Sequence, residues 1–336
     1  MVESSLSQQA TLTKYLEADG DIKVIGAATT EPEAVALVSS LAPGVVTLDL
    51  LVSGSRGRHA IEQIMGYSPT PILVLSGTAA ELHSAPATEA LMAGALDVMP
   101  KPSRWGTAEG AELRRRVRVL NGTRVIRHPR GRLEGAAVAG QNPSEPNSLR
   151  AIVALAASTG GPPALATVMA GLRGVGAPVL IVQHIHPNFI DEFAAWMRRV
   201  APMPVNVARD GERLLPDVAY VAPGGTHLRV SSDLRAVLDA KPETVHRPSA
   251  NELFFSLARL SHTKVIGALL TGMGEDGAEG LLAIRSAGGF TVAQDARTSA
   301  VHGMPAAAVR LGAAGCVLPL ELIATALVTA SQAARQ

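Results

Sequence analysis

The sequence predicts an α/β protein built from two doubly wound parallel-sheet domains. Two observations carry this. Short apolar runs alternate with helical patterns from residue 22 to 120, and the same rhythm resumes at Leu149. Between the two blocks, residues 121–148 show no hydrophobic period. A chain of 336 residues has the length of two ordinary domains, and 47% apolar residues suffice for two cores.

In the first block, Ile22-Lys23-Val24-Ile25-Gly26 is a strand candidate, and 31–40 is a helix whose Glu31 and Pro32 suit a first turn. Strands follow at 45–49, 71–76 and 97–99, with helices at 59–65, 87–93 and 109–120. Asn-Gly, Pro-Arg-Gly, Gly-Gln-Asn-Pro and Ser-Glu-Pro-Asn then accumulate, which marks a flexible linker. The division is a first domain at 1–120, a linker at 121–148 and a second domain at 149–334. Trypsin should therefore cut between Arg124 and Arg150 before it cuts either domain. A chain resistant there would contradict the two-domain reading.

In the second block, strands are expected at 151–157, 179–182, 205–208, 218–222, 227–230, 236–238, 265–270 and 290–293. Only Ser231-Ser232-Asp233 and its neighbours separate the pair near 228 and 237, so that pair suits an antiparallel hairpin.

Composition excludes several classes. Arg114, Arg115, Arg116, Arg118, Arg124, Arg127, Arg130 and Arg132 crowd the junction. With a net charge of +1 and 3% aromatics, they read as a solvated helix face running into a tether, not as a nucleic-acid surface. The single cysteine, Cys316, excludes an internal disulfide and fits a reducing compartment. No signal peptide is visible, and no apolar run reaches membrane-spanning length. The expectation is a cytoplasmic protein with no nucleic-acid partner and no membrane insertion.

Three segments of the second block carry chemistry. The run 151–157 ends in Ser158-Thr159-Gly160-Gly161-Pro162-Pro163, the run 179–182 in Gln183-His184, and the run 265–270 in Thr271-Gly272-Met273-Gly274-Glu275-Asp276-Gly277. Residues just past the carboxyl ends of parallel strands converge on one crevice. A serine hydroxyl is a poor nucleophile until a base takes its proton, and His184 is the natural base. Asp276 is a candidate to fix the imidazole tautomer. Amides at the helix start after Gly160 favour developing negative charge. Each residue also has a plainer reading. A Ser-Thr-Gly-Gly turn can bind phosphate or simply turn, a lone histidine is usually structural, and Asp276 can be a helix cap. The serine also lacks a G-x-S-x-G elbow, and the order Ser…His…Asp is not that of the α/β-hydrolases.

Taken together the segments resemble the chemotaxis response-regulator protein-glutamate methylesterases. The resemblance covers nearly the whole chain. It rests on Ala-Ser-Thr-Gly-Gly-Pro, Gln-His-Ile-His-Pro-Asn-Phe, Ala-Pro-Gly-Gly-Thr-His-Leu, His-Arg-Pro-Ser-Ala-Asn-Glu-Leu-Phe-Phe-Ser-Leu-Ala, Leu-Thr-Gly-Met-Gly-Glu-Asp-Gly-Ala and Ala-Gln-Asp…His-Gly-Met-Pro, in that order. The separation of 26 residues between Ser158 and His184 also fits. It implies a Rossmann-like methylesterase domain with Ser158 as nucleophile, His184 as base and Asp276 as its orienting carboxylate. It implies that Thr159 and the Met273 amide line the oxyanion site. The implied reaction, which needs no cofactor, is hydrolysis of glutamyl γ-methyl esters on chemoreceptors, with deamidation of receptor glutamines. His186, His227, His246 and His302 lie in the matching segments. Their spacing fits no zinc pattern, so they are expected to line or support the cleft.

The first block resembles a flavodoxin-type phosphoacceptor receiver. Asp49 matches the acceptor, Ser76 the hydroxyl residue and Lys101 the lysine, with a histidine kinase as the implied partner and Mg²⁺ as the implied ion. Two departures weaken this. The acidic pair that helps to hold Mg²⁺ is here Glu3-Ser4, leaving Asp49 and Glu3 as the metal ligands, and Arg56 stands where an acid is usual. Only Met1 and Val2 precede that pair, where a first strand is expected. The competing function is a non-catalytic signalling module that binds a phosphate or nucleotide at the Ser-Thr-Gly-Gly turn. A dinucleotide site would need G-x-G-x-x-G, which 156–161 does not supply.

Overall fold

The computed structural model describes residues 1–50, 57–77, 85–102, 104–123 and 149–335. Arg56 and almost all of the expected linker lie outside the described residues. The chain divides into two compact units, Met1–Gly131 and Arg132–Gln336.

The first unit runs α1 (Leu6–Leu16), α2 (Glu31–Leu41), β1 (Val46–Asp49), α3 (Arg58–Tyr67), β2 (Ile72–Ser76), α4 (Ala85–Met92), β3 (Asp97–Pro100) and α5 (Thr107–Leu120). The Ser5 hydroxyl accepts from the Gln8 amide and starts α1. Extended Thr30 and Pro32 start α2. The three strands pair in parallel in chain order, and Val2 bridges in parallel to both Leu48 and Ala28. The sequence of neighbours is therefore the 28 segment, the 2 segment, then β1, β2 and β3. That is the doubly wound 2-1-3-4-5 order. Ile61, Ile64, Leu75 and Leu113 fill its core.

One expectation fails here. The 22–26 run is not a paired strand; only Ala28, beyond it, bridges. Its neighbour in the sheet is residues 1–3, which bond to Gly26, Ala28, Thr47 and Asp49. A strand exists only where a partner offers its backbone groups. A cavity of about 300 Å³ is lined by 22–26, 43–47, Leu16, Val38 and Leu41.

The second unit runs β4 (Ala151–Ala157), α6 (Gly161–Ala170), β5 (Val179–Gln183), α7 (Ile190–Val200), β6 (Val205–Val207), β7 (Ala219–Val221), β8 (His227–Val230), β9 (Ala236–Asp239) and α8 (Ala250–Ala258). It continues with β10 (Lys264–Leu269), α9 (Ala278–Ser286), β11 (Phe290–Gln294), α10 (Met304–Arg310), β12 (Cys316–Leu318) and α11 (Leu320–Ala333). A seven-stranded parallel sheet has the order β12-β11-β10-β4-β5-β7-β6, while β8 and β9 form the expected antiparallel pair. Every residue of β4 and β5 is buried, which explains why both read as unbroken apolar runs. The chain moves outward from β4 on one side and returns to β10 on the other. That reversal opens a crevice at the carboxyl ends of β4 and β10.

Candidate active site

Ser158, His184 and the 271–277 loop all follow strands at this edge. Ala157 pairs with Gln183, and the His184 amide bonds the Ala157 carbonyl at 2.9 Å, so Ser158 and His184 leave neighbouring strands side by side. The Ser158 amide donates to the Thr271 carbonyl at 3.0 Å. The Gln183 side-chain amide bonds both the Ser158 and His184 carbonyls at 2.9 Å and ties the two strand ends together.

Glycine is required at two points. Gly160 has φ +73°, the left-handed conformation that lets β4 turn into α6. Gly272 faces Ser158 closely; a Cβ there would sit 2.7 Å from the Ser158 Cβ.

The His184 Nε2 lies 2.8 Å from the Asp276 carboxylate, and the imidazole is 6% exposed. A carboxylate only accepts, so Nε2 carries the proton and Nδ1 keeps a lone pair. Buried Nδ1 has no hydrogen-bond partner among the described residues. Asp276 receives three further bonds: from the Ser249 hydroxyl at 2.8 Å, the Ala250 amide at 2.7 Å and the Asn251 amide at 3.1 Å. It is thus an anion at the N-terminus of α8, supplied from another segment. The plainer reading, a helix cap, is also true of it.

Burial pushes the Asp276 carboxyl upward, but the His184 bond and charge and the α8 donors outweigh it and hold the carboxyl well below the ordinary carboxylate range. The sign for stability follows. A depressed folded-state value contributes stability that is fully present above the unfolded carboxyl value, and this is lost as pH falls below it. The stability gap between the wild type and Asp276→Asn should therefore narrow in urea melts as pH falls from 7 toward 3. A gap that widens on acidification would contradict the assignment.

Thr159 and Met273 border the same crevice. The Thr159 carbonyl is held by the Thr271 hydroxyl at 2.9 Å, and the Thr159 amide has no partner among the described residues. The Gly272 amide bonds the Val301 carbonyl, and the Gly272 carbonyl takes the Gly303 and Met304 amides, which fixes the loop bearing Met273.

The comparisons with known proteins agree with this geometry. Residues 153–327 match the CheB methylesterase family, and residues 1–109 match the response regulator receiver domain. The chain belongs to the CheB methylesterase family. It is 40% identical to the protein-glutamate methylesterase/protein-glutamine glutaminase 3 of Anaeromyxobacter dehalogenans, over 97% of both chains. It is 39% identical to enzyme 2 of that name in Pseudomonas aeruginosa, over 100% of this chain and 97% of the relative. The crystal structure of the Thermotoga maritima CheB methylesterase catalytic domain superposes with a TM-score of 0.51 at 32% identity, covering 53% of this chain and 97% of that one. The chain is therefore an enzyme, a methylesterase with a receiver domain ahead of it.

The other histidines of this CheB-family chain separate by environment. His227 is fully buried; its Nε2 bonds the Pro242 carbonyl at 2.9 Å and its Nδ1 accepts the Ser249 amide at 3.1 Å. His186 is exposed and caps a short turn. His302 bridges Gly272, with Nε2 buried and unpartnered among the described residues. His246 lies flat on His184, with centroids 4.2 Å apart and planes 11° apart. Among the described residues no group of three metal-ligating side chains converges.

In the receiver, Asp49, Ser76 and Lys101 do meet at the carboxyl ends of β1, β2 and β3. The Lys101 ammonium bonds Asp49 at 2.7 Å and Glu3 at 2.5 Å. Burial lowers the Lys101 pKa, but these two carboxylates outweigh it and hold the ammonium charged. The buried Ser76 hydroxyl has no partner among the described residues. Mg²⁺ demands near-octahedral oxygen coordination. The described residues offer two carboxylates, each already bonded to one ammonium, and Ser4 is exposed. These described residues alone do not complete such a set, and 51–56, next to Asp49 and Leu50 in the chain, lie outside them. No helix among the described residues is long and apolar enough to cross a membrane.

Proposed function

We propose that this enzyme hydrolyses glutamyl γ-methyl esters on methyl-accepting chemoreceptors, and deamidates receptor glutamines, by a Ser158-His184-Asp276 mechanism serving chemotactic adaptation. Ser158 Oγ attacks the ester carbonyl and passes its proton to His184 Nδ1. The amides of Thr159 and Met273 stabilise the oxyanion. The imidazolium, held by Asp276, protonates the departing methoxide, and methanol leaves. Water, deprotonated by the same imidazole, then cleaves the glutamyl-serine ester. With glutamine, ammonia leaves instead. One observation supports this reading: an imidazole with a buried ring, bound to a carboxylate through Nε2 and with Nδ1 unpartnered among the described residues, follows the strand that pairs with the one leading into Ser158. A phosphate-binding turn has no use for that pair, and the Ser158 amide is already committed to Thr271.

Methylated receptor membranes test it. The protein should release methanol from them, and ammonia from receptors carrying glutamine at the same positions. Absence of both products would overturn the reading. For the receiver, the Lys101-bridged acids support weak phosphorylation at Asp49 by a chemotaxis histidine kinase. Acetyl phosphate with Mg²⁺ should label only a minor fraction of the protein by intact mass. Stoichiometric labelling that Asp49→Asn abolishes would contradict this.

A further inference from the structure

We propose that His246 is a positioning residue for the catalytic imidazole, fixing the plane of the His184 ring in which Nδ1 serves as the base. This rests on the hydrolase reading above. A ring anchored by one hydrogen bond, Nε2 to Asp276, can still swing about that bond, and Nδ1 has no partner to stop it. The parallel face of His246, 4.2 Å away and tilted by 11°, supplies the second constraint.

The surrounding chain is built to present that face. His246 sits in a strap, 240–248, between β9 and α8. Its neighbours point to solvent, with Val245 94% exposed and Arg247 exposed, whereas His246 is half-buried. The strap is pinned at three places. His227 donates to the Pro242 carbonyl, the Gly225 amide bonds the Arg247 carbonyl at 3.2 Å, and the Ser249 amide bonds His227 Nδ1. Ser249, Ala250 and Asn251, which hold Asp276, follow directly. One segment, 246–251, thus orients both the base and its carboxylate.

His246→Ala, His246→Phe and Ser158→Ala should be compared in the full-length chain by methanol release. His246→Ala should lower kcat about ten-fold, the scale an aromatic pair can exert, with KM little changed. His246→Phe, which keeps a flat face, should recover most of the lost kcat. All three variants should melt with the wild type. A rise in KM at constant kcat would make His246 a substrate contact and overturn the proposal. So would a His246→Phe variant as slow as His246→Ala, or a His246→Ala variant as fast as the wild type. An active Ser158→Ala would instead show that the hydrolase reading itself is wrong.

Discussion

Ser158→Ala and His184→Ala should each reduce methanol release by about a thousand-fold or more, and the double variant should be little slower than either. In the proposed mechanism one proton transfer joins them. Without His184 the Ser158 hydroxyl keeps its proton, and without Ser158 the imidazole has nothing to activate. The two side chains leave adjacent strands whose ends are tied by the Ala157 carbonyl and the Gln183 amide, so neither change should disturb the sheet. Steady-state kinetics on the three variants checks this. Losses that multiply in the double variant would mean that the two residues act in separate steps.

Asp276→Asn should cost nearly as much, about 10³–10⁴ in kcat. The carboxylate accepts from His184 Nε2, the Ser249 hydroxyl and two amides of α8. An asparagine keeps the shape but loses the charge. It stabilises the imidazolium less, and its amide nitrogen cannot accept from the donors that crowd it. The imidazole can then turn its proton toward Ser158, the wrong tautomer for a base. A variant with near-normal kcat would leave Asp276 as a helix cap only.

The strands that lead to Ser158, His184 and Asp276 were legible because their signals are local. β4 and β5 are buried throughout and β10 is buried beyond Lys264, so each reads as an apolar run that gives way to polar or glycine-bearing residues. Converging strand ends then follow from topology alone. The hairpin of β8 and β9 was legible from its short connection. Other features depend on tertiary partners. The 22–26 run has strand composition, but pairing depends on a partner's backbone groups, and the bridge to Val2 forms only at Ala28, beyond the run. Helix α1 is polar over most of its length and buries Leu12 and Leu16, too narrow a stripe to announce itself. Helix α11 and the edge strand β12 were likewise not foreseen; β12 is three residues, partly exposed throughout. The histidines separate only in three dimensions. His227 and His246 each follow a proline-containing loop, yet one is locked in the core and the other covers the imidazole. No spacing rule distinguishes them.

In the proposed mechanism Ser158 carries the acyl group between the receptor and water. Single-turnover reaction with methylated receptor, quenched early and followed by mass spectrometry of the peptide bearing residue 158, tests it most directly. A glutamyl ester on Ser158 should form as methanol appears, decay as free glutamate side chains appear, and be absent from Ser158→Ala. Methanol release by the wild type with no adduct on Ser158, and undiminished in Ser158→Ala, would contradict it.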